Sequence, residues 1–274
     1  LKLEAVVTSV GYSDFLAETL VQNKQLFDKI VVVTSPEDDR TQKLCEHLFV
    51  ECVVTDEFRT AEGKFCKGAG INAGLARLDG DGWVVHLDAD IALPPMTRRY
   101  LEKLDLDPRN LYGCDRYLVD ADEWHEHKRR PRLEHENGIY VHTSAYKIGA
   151  RIVPVDRGGY VPIGFFQLWN PNVSGVHLYP TSHTTAARTD MLFSFRWPPA
   201  RRDFLPEIIA YHLESDREAP QGANWEGRTT PPFERSRWYR RWRKRFCWCW
   251  RPRRRHHRHR PPVPPAPPTP YCES

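Results

Sequence analysis

Between residues 3 and 87, four short apolar, β-branched runs alternate with stretches of helical periodicity. The runs are 3–10, 29–34, 50–55 and 82–87, and the stretches between them are 13–23, 40–48 and 67–78. Leu16, Leu20 and Val21 share one face of the first helical stretch, with Ser13 placed as its N-cap. Pro36 and the acids after it open the second. Strands that alternate with helices over such short intervals predict βαβ units and a mainly parallel sheet, hence an α/β fold.

After Pro94 the rhythm changes. The pattern predicts a helix over 97–104, a strand over 111–119 and a charged, exposed excursion over 122–137. Short hairpin-like strands follow between 140 and 179, then a helix over 191–197 and a strand over 207–213. From Pro220 the chain reads as loop. Beyond Pro252 it is Arg/His-rich and then Pro-rich, with too little apolar content to order itself. The division this implies is a folded domain over 1–230 and a basic, largely disordered tail over 231–274.

Charge supports that division. The net formal charge is +4, but up to Glu234 the chain has 27 Lys/Arg against 35 Asp/Glu, and after it 13 against Glu273 alone. An acidic body thus carries a strongly basic tail. The seven cysteines are irregularly spaced and form no zinc ladder, which reads as reduced thiols. The longest apolar runs, such as 30–33, are far too short to cross a bilayer. No charged-then-apolar leader opens the sequence, and the expectation is a cytoplasmic protein.

The strongest local motif is Val84-Val85-His86-Leu87-Asp88-Ala89-Asp90. Two carboxylates separated by one residue share a face of an extended strand. At a strand end, where the backbone turns, both can converge on one hard cation. Mg²⁺ and Mn²⁺ suit such a site, since they take a few carboxylates together with substrate phosphates. Open α/β sheets also bind ligands beyond the carboxyl ends of their strands. The plainer reading is a solvated turn with two acids. Upstream, Lys67-Gly68-Ala69-Gly70-Ile71-Asn72-Ala73-Gly74-Leu75 opens a helix with small residues, one cation and one amide. Such a start admits phosphate or ribose, with Lys67 as a point charge. It equally lets the helix lie tight on the sheet. The order of residues matches neither a P-loop nor a dinucleotide fingerprint.

Taken together, the first strand with 12–20 behind it, Ile30 to Thr34, Lys67 to Leu75 and Leu87-Asp88-Ala89-Asp90-Ile91 resemble the nucleotide-sugar glycosyltransferases of the GT-A fold, particularly family 2. The resemblance implies a Rossmann-like, mainly parallel mixed sheet flanked by helices. It also implies a nucleotide sugar as donor, with Thr8, Tyr12, Asp56, Lys67, Asn72 and Asp88 around it. Family members place an acid pair after the second strand. Here Thr34-Ser35-Pro36 stands there, and Asp56 after the third strand is the substitute. The second half resembles galactosyl-type transferases of the same fold more loosely: a Gly/aromatic loop (164–169), an acid at a helix head (Thr189-Asp190) and a downstream His212. By that resemblance Asp88, Asp90 and His212 hold the metal, Mn²⁺ in preference to Mg²⁺ because imidazole is a ligand. Asp190 is the general base of an inverting reaction. His212 read by itself is equally a core histidine beside Tyr211.

Phe166 and Trp169 offer an aromatic platform for the acceptor or, alternatively, a wall of the core. Trp225 sits in a polar loop that reads either as a lid over the donor or as plain surface. The 235–260 stretch interleaves cations with aromatics, as nucleic-acid or anionic-membrane contacts do, or as an extension without a role does. The acceptor is then a glycan or a hydroxymethylated base in DNA. The rivals are a nucleotidyltransferase and a nucleic-acid-binding protein with an inactive transferase-like domain.

Overall fold

The computed structural model describes residues 1–129, 147–148, 160–182, 186–214 and 232–233. Four strands, β1 (Leu3–Thr8), β2 (Lys29–Thr34), β3 (Glu51–Val54) and β4 (Trp83–Asp88), pair in parallel in the order β3-β2-β1-β4. The crossovers are α1 (Ser13–Asn23), α2 (Asp39–Leu48) and α3 (Lys67–Leu75). β5 (Ile91–Ala92) and α4 (Thr97–Leu101) follow, then β6 (Leu111–Asp120), α5 (Ala121–Arg129) and β7 (Lys147–Ile148). The described chain continues through β8 (Phe166–Trp169), α6 (Pro171–Ser174), α7 (Ala186–Ser194) and β9 (Arg202–Glu214). β8 inserts antiparallel between β4 and β6, β9 runs parallel to β6, and β5 closes the far edge. The result is the mixed, mainly parallel α/β sheet that the alternation predicts.

The central strands are apolar on both faces because both faces are covered. Leu3, Ala5 and Val7 pack with Leu16 and Leu20 of α1 on one side. Val6 packs with Ile71, Phe193 and Trp197 on the other. Gly74 sets the distance of α3 from the sheet, since a Cβ there would lie 2.4 Å from both Val6 Cγ2 and Val33 Cγ2. The glycines of 67–75 therefore include one whose place in the structure is helix packing.

Several expectations are corrected. β1 stops at Thr8, where the expected run reached Val10; Gly11, at φ 72, turns the chain. Tyr12, not Ser13, occupies the N-cap of α1, and it makes no side-chain cap bond. α3 and α4 end earlier than predicted. α7 ends at Ser194, three residues before the predicted end. The 122–137 excursion begins as a helix, because Trp124 is fully buried and its indole N–H donates to Glu18 of α1 at 2.9 Å. β9 begins five residues before the predicted strand. Phe233 is buried, packs on Phe15 with the rings tilted and their centroids 4.8 Å apart, and donates its N–H to Asp14, so packing against the body reaches past residue 230. Among the described residues no helix is long and apolar enough to cross a membrane.

Candidate active site

Parallel pairing aligns the carboxyl ends of β1 and β4, so Thr8 lies opposite Asp88 in register. After Asp88 the chain turns and re-enters the sheet as β5, where Ile91 pairs with His212 of β9. That turn brings Asp90 beside His212: Nε2 stands 3.3 Å from Asp90 Oδ2. Asp88 is engaged differently. The Lys67 ammonium, at the head of α3, lies 2.7 Å from Asp88 Oδ1 and 3.3 Å from Asp190 Oδ2; α7 begins at Ala186, so Asp190 stands in the middle of that helix and not at its head as expected. Lys67 and Asp190 are 123 residues apart in sequence. The ammonium thus neutralises two carboxylates that would otherwise repel each other across the cleft.

Position sets the protonation of each group. Burial alone would lower the Lys67 pKa, but the Asp190 and Asp88 carboxylates outweigh it and keep the ammonium charged. Burial pushes the Asp190 carboxyl up to about 6, against the pull of Lys67. Burial also raises Asp88, although a third of its side chain remains exposed. Asp90 feels the same burial, yet His212 and then Arg116 hold it below the usual carboxylate range. His86, fully buried in β4, is kept neutral by burial and by Lys67; its Nε2 is 3.9 Å from Asp88 Oδ1, outside hydrogen-bond range.

The middle and C-terminal end of α7 are fixed from the sheet. Gln167 donates its amide to the carbonyls of Pro162 (3.0 Å) and Asp190 (3.1 Å) and to Ser194 Oγ (2.9 Å). It accepts from the Tyr179 hydroxyl at 2.6 Å. Gly164 stands against the Asp190 carboxylate so closely that a Cβ would lie 2.0 Å from Oδ2. Asp90 Oδ1, Asp190 Oδ1 and His212 Nδ1 are buried and have no hydrogen-bond partner among the described residues. A buried polar atom left so is costly unless something else satisfies it. Among the described residues no three His, Cys, Asp or Glu side chains stand close enough to form a closed metal cage. Asp90 and His212 make a pair, and Asp88, its Oδ1 held by Lys67, is close enough to feel both electrostatically. A carboxylate–imidazole pair with an unsatisfied oxygen suits a divalent ion that takes its other ligands from substrate and water.

Thr8 is half-buried at the sheet end, and Tyr12 packs on Phe15 at 5.4 Å. Asp56 is exposed in a 3₁₀ turn just beyond β3. Asn72 is engaged within the fold. Its side chain makes two hydrogen bonds to the Tyr179 backbone, at 3.0 and 2.7 Å, which clamp α3 to the segment before α7. Phe166 and Trp169 are fully buried, and the Trp169 indole N–H donates to the Val176 carbonyl. They form core wall and leave no face for an acceptor. Trp225 and the 235–260 stretch lie outside the described residues.

Sequence reasoning missed Asp38, His86, Arg116 and Gln167. Asp38 caps α2 through Thr41 N–H and holds Gly11 N–H at 2.7 Å, tying the turns after β1 and β2 together. His86 and Gln167 were legible as polar residues inside apolar strands. Arg116 had no motif around it.

The family model for glycosyl transferase family 2 matches residues 5–162, more than half the chain. The chain belongs to glycosyl transferase family 2. Among solved structures, glucosyl-3-phosphoglycerate synthase from Mycobacterium tuberculosis in complex with UDP aligns at 13% identity. That alignment covers 80% of this chain and 73% of the synthase, with a TM-score of 0.47. The same enzyme in complex with Mn²⁺, UDP and phosphoglyceric acid aligns at 19% identity over 41% of this chain, with a TM-score of 0.34. In that alignment this family 2 chain spans 42% of the synthase. Mannosyl-3-phosphoglycerate synthase from Rubrobacter xylanophilus aligns at 22% identity over 44% of this chain and 42% of its own, with a TM-score of 0.34. No curated protein matches.

Proposed function

We propose that this family 2 chain transfers a sugar from a nucleoside diphosphate sugar, UDP-linked in our reading, to a hydroxyl group. The observation that carries this reading is the convergence of Asp88, Asp90, Asp190, Lys67 and His212 beyond the carboxyl ends of β1 and β4. Asp90 and His212 would hold Mn²⁺, with Asp88 nearby. Bound there, the ion supplies positive charge for the departing diphosphate, worth on the order of several kcal/mol. Asp190 accepts the proton of the acceptor hydroxyl at its unpartnered Oδ1. The hydroxyl oxygen attacks the anomeric carbon from the face opposite the diphosphate, whose bond to that carbon breaks; the product is inverted. A positioned base of this kind contributes roughly 10²–10⁴-fold.

Thr8, Tyr12 and Asp56 line the donor side in this reading. The acceptor is a glycan or a hydroxymethylated base in DNA; the +12 balance of the tail, 13 Lys/Arg against Glu273, supports the polyanionic alternative by its charge alone. Calorimetric titration with UDP tests the proposal. Binding that requires Mn²⁺ and is lost in Asp90→Asn and His212→Asn supports it. Binding indifferent to Mn²⁺ and to both substitutions would remove the proposed metal role.

A further inference from the structure

At the start of β9, Arg202 is buried with no carboxylate paired to it among the described residues. It is 8% exposed, and its Nε and Nη1 are enclosed without a hydrogen-bond partner among those residues. Of the three guanidinium nitrogens, Nη2 alone is not enclosed in this way. In register Arg202 lies opposite Leu111 of β6, which is fully buried in one apolar cluster with Phe193 and Trp197. Its guanidinium stands over the ring of Phe195, 5.4 Å from the centroid, and that ring is half-exposed. Other arginines of this region are already engaged. Arg201 and Arg109 both donate to Asp107, and Arg196 donates to the Leu178 carbonyl. Asp203, next on the strand, points to the opposite face. Burial lowers the pKa of Arg202 with no neighbouring carboxylate to offset it, and the guanidinium still stays charged.

A buried polar group without a partner is costly, and a buried charge more so. Trp197, in the stretch just before β9, adds a second such group: its indole N–H is buried and has no partner among the described residues. Both groups donate and neither can accept, so what completes them is an acceptor, and for a guanidinium a negatively charged one. The ring under Arg202 fixes the plane of its guanidinium, and a fixed fork suits the paired oxygens of an oxyanion. We infer that Arg202, seated on Phe195, binds a small oxyanion of the phosphate type. The site is separate from the cleft, because β9 begins at Arg202 and reaches His212 only near its other end. It does not depend on the transferase reading.

Calorimetric titration of the full chain with inorganic phosphate, without Mn²⁺ or nucleotide and at constant ionic strength, tests this. Wild type is compared with Arg202→Met, Arg202→Lys and His212→Asn. Arg202→Met should remain folded, since it removes an unpaired buried charge and keeps the bulk of the side chain. It should weaken phosphate binding by about 10- to 100-fold, the range for hydrogen bonds to charged groups. Arg202→Lys recovers only part, because a point charge lacks the fork. His212→Asn should bind phosphate as the wild type does. Thermal melts give a second readout. At ten times its Kd, phosphate should raise the wild-type Tm by roughly 3–6 °C beyond the rise in Arg202→Met. The rise in that variant measures the general effect of an excluded salt. Wild type that takes up no phosphate, or uptake and melting shifts unchanged in Arg202→Met, overturns the inference. So does uptake lost in His212→Asn and kept in Arg202→Met, which would put the anion in the cleft.

Discussion

At the scale of single residues, the site depends on contacts too tight to tolerate one added atom. Gly164→Ala places a Cβ where the Asp190 carboxylate lies, and the flexible carboxylate yields more readily than the backbone. The melting temperature should change little while kcat falls about 10²-fold, the cost of misplacing a reacting group by roughly an ångström; a thermal melt beside initial rates checks both. Asp190, pushed up to about 6, gives the pH dependence its sign. A base works only when ionised, so kcat/KM should fall about tenfold per pH unit below that value and level off above it. A profile that is flat from pH 5 to 8 would remove Asp190 from the role. Trp169→Ala tests the corrected reading of the aromatic residues: a fully buried tryptophan should cost roughly 3–5 kcal/mol of stability in chemical denaturation. Acceptor KM should stay where it was.

At the scale of elements, what was legible in the sequence was what periodicity reports. Strands β1, β2 and β4 are buried on both faces and read as mainly apolar runs, interrupted by Glu4 and His86, and the crossovers between them left little choice of topology. α5 was not legible because its anchors to α1, Trp124 and Lys128, both reach the one residue Glu18 from within a charged stretch, and such a pair makes no apolar period. The site divides in the same way. Asp88 and Asp90 announce themselves at the end of a strand, whereas the partnership of Lys67 with Asp190 spans 123 residues and exists only once α3 and α7 lie side by side. Asn72 looked like a ligand because an amide at a helix head suits a ribose, but the nearby Tyr179 backbone uses both its donor and its acceptor. α3 itself is set by Gly74. Gly74→Ala should wedge it off Val6 and Val33 and cost roughly 1–3 kcal/mol, measurable by urea denaturation.

At the scale of the whole molecule, an acidic body joins a tail whose charge is opposite. Phe233 packs on Phe15, so a truncation meant to separate them must fall after it; cutting at 230 would also strip a core contact. Removal of residues 237–274 should abolish any salt-sensitive DNA binding and leave turnover of a small acceptor intact. The tail would then serve acceptor delivery and not the chemistry. The central claim concerns the chemistry, and release of nucleoside diphosphate tests it most directly. Purified protein with Mn²⁺ and a panel of nucleotide sugars should release nucleoside diphosphate from one donor in the presence of acceptor. Chelation should stop the release, and Asp90→Asn should fail to support it. Release of pyrophosphate in its place, or no release together with no binding of UDP and Mn²⁺, would contradict the account.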